Sequence, residues 1–114
     1  MDNLDRFLPL QEPTLYILLS LRGGEKHGYA ILKDIAELSE KRIKMSTGTL
    51  YSALYRLLDQ GLIEQIESTD VVRGKKSYRL TPSGMEVLDA EVGRMKQLLL
   101  VVEGRIPGKE GQHL

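Results

Sequence analysis

The residues of this chain best suited to chemistry lie in one stretch, Ser46 to Gly61, S-T-G-T-L-Y-S-A-L-Y-R-L-L-D-Q-G. At helical spacing one face carries Gly48, Ser52, Tyr55, Arg56 and Asp59, with Thr49 and Tyr51 on its flanks. Small hydroxyls, phenols and one guanidinium are hydrogen-bonding groups that allow close approach. They suit contacts to a phosphate backbone and to base edges in a groove. A solvent-facing helix surface with chance tyrosines accounts for the same residues equally well. Other chemistry has little to work with. There is no cysteine, so disulfides and thiolate chemistry are excluded. Two distant histidines, His27 and His113, make no metal site, and neither a metal nor a cofactor is expected. His27 reads as a loop-packing residue. Glu37 with Glu40 and Glu64 with Glu67 have surface spacings rather than convergent ones. No nucleophile stands with a base and no glycine loop cradles phosphate, so an enzyme is not expected.

The stretch is marked as a helix at both ends. Ser46 is an N-cap, and Gly61 suits the left-handed conformation that ends a helix. Leu50, Leu54, Leu57 and Leu58 form its buried stripe. Upstream, residues 1–12 read as an arm or short lead-in. Pro13 opens a helix from Thr14 to about Leu21, burying Leu15, Leu18, Leu19 and Tyr16, and Gly23 and Gly24 stop it. After a loop to Gly28, a second helix runs from about Tyr29 to Ser39 on a stripe of Ile31, Leu32, Ile35 and Leu38. Lys41 to Met45 is short, basic and extended. Downstream, Leu62–Ser68 and Lys76–Thr81 alternate at period two around a basic tip holding Arg73, Lys75 and Lys76. Three helices followed by a hairpin is the order of a winged helix-turn-helix, whose third helix enters the major groove. The fold class expected is mainly α with a small β-hairpin.

The last helix starts at Thr81-Pro82, and Pro107 ends it. Met85, Leu88, Val92, Met95, Leu99, Val102 and Ile106 recur at alternating spacings of three and four, an a/d seam over a rod of roughly 35 Å. Such a seam reads as a dimerisation surface, and the alternative is a helix folded back on its own domain. Residues 1–81 form the expected winged domain, 82–107 the dimerisation helix and 108–114 a disordered tail.

Composition sharpens the functional reading. The chain has 114 residues, 41% hydrophobic, with zero formal net charge. Residues 1–40 hold four Lys/Arg against seven Asp/Glu, 41–81 hold eight against four, and 82–114 hold four against five. The basic excess sits on the marked helix and the hairpin, a local footprint of the kind nucleic acid needs. No apolar run approaches a membrane span and the acidic start is no signal peptide, so a cytoplasmic protein without membrane contact is expected.

Four motifs in this order carry a resemblance. They are H-G-Y at His27–Tyr29, S-x-G-T-L-Y at Ser46–Tyr51, L-x-x-G-L-I at Leu58–Ile63, and Y-x-L-T-P-x-G at Tyr78–Gly84. From about Leu15 to Arg105 the chain resembles the PadR family of bacterial transcriptional regulators, in its shorter form with one C-terminal dimerisation helix. The resemblance implies a homodimeric repressor on palindromic double-stranded DNA, released by a small molecule or other signal. It implies major-groove entry for Ser46, Gly48, Thr49 and Tyr51, and backbone contact for Tyr29 and for Arg73, Lys75 and Lys76 of the wing. Thr47 and Ser52 share the helix face with them. Tyr55 and Arg56 stand where members vary, and are candidates for specificity. Leu15, Leu19, Met95, Leu98 and Leu99, apolar on elements expected to face each other, are the candidate effector lining. Aromatic stacking of a ligand, used by some members, is not implied, because the chain has no Trp. A winged helix used for protein contact and a constitutive architectural dimer without effector are the alternatives.

Overall fold

Among the residues that this computed structural model describes, 3–67 and 76–105, four helices and three strands follow a 3-10 turn over Asn3–Phe7. They run α1 (Glu12–Arg22), β1 (Lys26–His27), α2 (Gly28–Leu38), α3 (Thr47–Asp59), β2 (Ile63–Glu67), β3 (Lys76–Leu80) and α4 (Pro82–Val102). Arg73, Lys75, Ile106 and the tail from Gly108, all singled out above, lie outside the described residues. The core gathers Ile17, Leu18 and Leu21 of α1, Ile31 and Ile35 of α2, Leu50, Leu54 and Leu57 of α3, and Val87 and Leu88 of α4. Leu62, Ile63 and Tyr78 close it from the sheet.

The ends of α3 are formed as its residues require. The Ser46 hydroxyl accepts the Thr49 N–H at 3.1 Å, and Gly61 takes φ 75° just past the helix. The chain then turns into β2, which pairs antiparallel with β3 from Ile63↔Leu80 to Glu67↔Lys76. At the start of α4, Thr81 repeats the capping device by accepting the Gly84 N–H at 3.0 Å. Its hydroxyl donates to the Gly61 carbonyl at 2.7 Å, and its N–H donates to that of Leu62 at 3.1 Å. A β-carbon on Gly84 would lie 1.9 Å from the Leu62 carbonyl oxygen, so only glycine lets α4 seat there.

Several expectations are corrected. The loop before α2 contains β1, which pairs Lys26 with Tyr78 and His27 with Ser77, so the hairpin becomes a sheet of order β1-β3-β2. The lead-in is a folded turn, with Leu4, Phe7, Leu8 and Leu10 packed against the core. On α1, Ile17 and Leu21 are buried, while Tyr16 and Leu19 are only half-buried. Leu38 is 52% exposed, because α2 ends there and Ser39 takes the inner position, its hydroxyl accepting the Ile43 N–H at 3.0 Å. The connection to α3 opens with a turn through Lys41, with Glu40 and Lys41 at φ 54° and 67°, and reaches an extended Ser46 at the helix cap. Pro107 does not end α4. The helix stops at Val102, where Gly104 at φ 72° allows the Arg105 N–H to close back on the Leu100 carbonyl at 2.8 Å.

α4 divides into two halves. Leu88 is wholly buried in the chain's own core, and Met85 and Val92 are half-buried there. The outermost buried residue on the helix is a carboxylate, Glu91, 1% exposed. It accepts two bonds from the Arg94 guanidinium, at 2.7 and 2.9 Å, and one from the Leu10 N–H at 3.2 Å. The guanidinium holds its pKa below the ordinary glutamate range against the opposing effect of burial. Beyond it the seam is uncovered: Met95 is 42% exposed, Leu99 54% and Val102 73%.

Candidate nucleic-acid interface

The outward face of α3 is built from its first three turns. Thr47, Gly48, Thr49, Ser52, Tyr55 and Arg56 are all exposed, and Ser46 precedes them at the cap. The Ser46 hydroxyl donates to the Thr49 hydroxyl at 2.9 Å while accepting the Thr49 N–H. That arrangement fixes both oxygens and leaves the Thr49 O–H free to point outward. A β-carbon on Gly48 would meet nothing within 4 Å, so the helix surface there is open and low. Ser46, Gly48, Thr49, Ser52 and Arg56 face a cleft of about 540 Å³ shared with Gln11, Pro13 and Thr14 at the start of α1.

A second group forms beside it. Tyr29, 74% exposed on the first turn of α2, lines a cavity of about 310 Å³ with His27, Tyr51, Tyr55, Lys76 and Tyr78. The rings of Tyr51 and Tyr55 lie 6.4 Å apart and tilted by 46°. Tyr51 reaches this position because Gly28 has no side chain: a β-carbon there would stand 2.4 Å from the Tyr51 phenol oxygen. Tyr78 is the buried floor, and burial pushes its phenol pKa up. Lys76 opens β3 at the base of the wing and is exposed. The structure thus brings Tyr29 of α2, Tyr51 and Tyr55 of α3 and Lys76 of β3, three separate segments, to one surface.

His27 belongs to this group as well. It sits in β1, with Nδ1 3.1 Å from the Ser77 hydroxyl and 3.3 Å from the Lys76 carbonyl. A two-residue strand carries no periodicity, so its position in the sheet left no mark beyond the H-G-Y motif. Lys44, exposed two residues before the cap, also adds charge beside α3. The run K-R-I-K from Lys41 is the sequence signal for it.

The five apolar residues named as effector lining come together too. Leu15 and Leu19 of α1 face Met95, Leu98 and Leu99 of α4 across a groove of about 550 Å³, with Val92 and Val102 along it and Arg94 at one side. Among the described residues no group of three or more His, Cys, Asp or Glu could hold a metal ion. No described helix is long and apolar enough to cross a membrane.

Comparisons with known proteins agree with this geometry. The model of the transcriptional regulator PadR-like family matches residues 17–90. The chain is 32% identical over 90 residues to Transcriptional regulator Rv3488 of Mycobacterium tuberculosis, covering 79% of this chain and 81% of that protein. It is 35% identical over 98 residues to a 37.1 kDa protein in transposon TN4556 of Streptomyces fradiae, covering 84% of this chain but 27% of that relative's length. It is also similar to the crystal structure of Bacillus subtilis PadR in complex with operator DNA, with TM-score 0.65 and 29% identity over 74% of this chain and 47% of that one. The winged-helix order and the four motifs have the same explanation: this chain belongs to the PadR-like family of transcriptional regulators.

Proposed function

We propose that the chain binds double-stranded DNA in the cytoplasm as a homodimer and acts as a repressor at palindromic operators. The observation that carries this reading is the uncovered apolar half of α4, from Met95 to Val102, on a chain whose α3 face is small and hydroxylic. An apolar helix face left in water calls for a partner helix, and a second copy supplies the same seam by two-fold symmetry. Each copy then presents one α3 to one half-site. Ser46, Thr47, Gly48, Thr49 and Tyr51 enter the major groove, Ser52, Tyr55 and Arg56 read further along it, and Tyr29 and Lys76 hold phosphates. Arg73 and Lys75 extend that backbone contact on the wing. The Bacillus subtilis relative was solved with operator DNA, which supports DNA as the partner here.

The test is selection of bound duplexes from a random pool, followed by sedimentation of wild type and Leu99→Asp. Inverted repeats centred about 34–36 Å apart are expected, one helical turn of B-DNA. Leu99→Asp puts a charge into the seam at a cost of several kcal/mol, so it should sediment as a monomer and enrich no inverted repeat. A monomeric wild type at micromolar concentration overturns the reading.

Release by a small molecule is part of the proposal. The groove lined by Leu15, Leu19, Met95, Leu98 and Leu99 lies between the reading head and the seam. A ligand there shifts the dimer only if it binds one head spacing better than another. Cross-linking the seam through paired cysteines should abolish the response to an inducer, and normal release from the locked dimer excludes this route.

A further inference from the structure

We propose that Glu91 is a positioning residue for DNA binding: by clasping the N-terminal arm to α4 it sets the angle between the reading head and the dimerisation helix. This rests on the dimeric reading above and adds what sets the spacing of the two heads.

Three observations meet at this carboxylate. First, it is the last buried residue along α4, with Gly84, Val87 and Leu88 before it and mostly exposed positions after it. It is therefore the outermost fixed point between the head and the free half of the helix. Second, its contact with the rest of the chain is directional. The Leu10 N–H donates to one carboxylate oxygen, and the Arg94 guanidinium donates to both. An ion pair whose guanidinium is exposed adds little net stability, whereas its hydrogen bonds define a direction that apolar packing does not. Third, the arm it holds leads to the recognition helix. Arg6, Phe7 and Leu10 line one cleft with Arg56, Leu57 and Gln60 at the C-terminal end of α3. The arm that Glu91 holds thus packs against the core that α3 shares and borders the same cleft as the end of that helix.

The leverage is large enough to matter. From Glu91 to Val102 the helix runs about 16 Å, at about 1.5 Å per residue. A tilt of about 12° there moves the far end by about 3.4 Å, the rise of one base pair.

The experiment uses duplexes that the wild-type protein selects from a random pool, with one or two base pairs inserted at the centre of the repeat, and a duplex holding a single half-site. Each protein is also melted, to separate positioning from stability. Glu91→Leu is the main variant, because an apolar side chain of similar size can fill the site. Glu91→Gln is the second, since its amide oxygen can still accept the Leu10 N–H. For wild type, one inserted base pair should weaken binding about tenfold or more, because two fixed heads then miss their grooves. For Glu91→Leu the same insertion should cost less than about threefold, with single half-site affinity within about twofold of wild type. Glu91→Gln should fall between them. If both variants keep the wild-type dependence on spacing, the clasp does not position the heads, whatever the change in melting temperature. A wild type indifferent to spacing instead overturns the two-headed reading, and the positioning role falls with it.

Discussion

Replacing Gly84 with Ala tests the junction between the reading head and α4 most directly. The added carbon would start 1.9 Å from the Leu62 carbonyl oxygen, and ordinary contact begins at 3.4 Å, so the two must part by 1.5 Å. The obstacle is backbone, and that carbonyl already accepts the Thr81 N–H at 3.1 Å. Neither side can swing away as a flexible side chain would. Overpacking costs about 1–3 kcal/mol in general, and a backbone obstacle places this case near about 3. Alanine returns at most about 1 kcal/mol of helix propensity, leaving a net loss of about 2 kcal/mol. At this size that lowers Tm by about 10 °C. Gly93→Ala is the matched control on the same helix, since its β-carbon meets nothing within 4 Å. It should raise stability by up to about 1 kcal/mol, or about 5 °C. Both are read by circular dichroism during heating at one fixed protein concentration, because a dimer's Tm depends on it. Equal melting of Gly84→Ala and wild type, or shifts of the same sign in the two variants, would refute the reasoning.

Other outcomes follow from the site and the clasp. Lys75→Ala with Lys76→Ala should weaken all duplexes alike and flatten the slope of log affinity against log salt by about 2 per bound subunit, about 4 for the dimer, measured by fluorescence anisotropy across salt concentrations; a changed sequence preference at unchanged slope contradicts phosphate contact. Gly28→Ala should leave Tm nearly unchanged, because the tip of the Tyr51 side chain can move, yet lower DNA affinity several-fold by displacing that phenol. Glu91 has a folded-state pKa below its unfolded value, so the stability of its ion pair is present above the ordinary glutamate range and is lost as pH falls through the lower, folded value. Urea midpoints taken from about pH 6 down to about pH 3 should therefore fall more steeply for wild type than for Glu91→Leu; parallel curves exclude the pair as a source of acid sensitivity.

What the sequence made legible were features written in local chemistry. Ser46 and Gly61 mark α3, Thr81 and Pro82 mark the start of α4, and alternation marks β2 and β3, because caps, breakers and period-two patterns act within a few residues. The two pairs of motifs turn out to be contacts. Gly28 of H-G-Y accommodates Tyr51 of S-x-G-T-L-Y, and Gly84 of the last motif accommodates Leu62 of the third. Features set by distant partners left no local trace. β1 is two residues long and exists because β3 offers it an edge. Leu38 satisfied the α2 stripe but fell where the helix had already left the core. Glu91 reads as a surface acid until Arg94 and Leu10 enclose it. Gly104 ends α4 only through the closing bond from Arg105 to the Leu100 carbonyl. On the candidate interface, the α3 face was readable from one helix, whereas the meeting of Tyr29, Tyr55 and Lys76 required the fold.

The order β1-β3-β2 also bears on how the protein stays out of aggregates. A sheet can grow only at an edge, where unpaired N–H and C=O groups wait for another strand. One edge here is β1, two residues long and too short to template a foreign strand. The other is β2, which carries Glu64 and Glu67, with Arg79 bonded to Glu64 at 2.5 Å across the pair. Desolvating those carboxylates would oppose the approach of another strand. β3, with the strongest run of buried residues in the sheet, is shielded on both sides. Crowded copies of this chain thus have a helical route to association and a blocked strand route, and neutralising the glutamates of β2 would reopen the second.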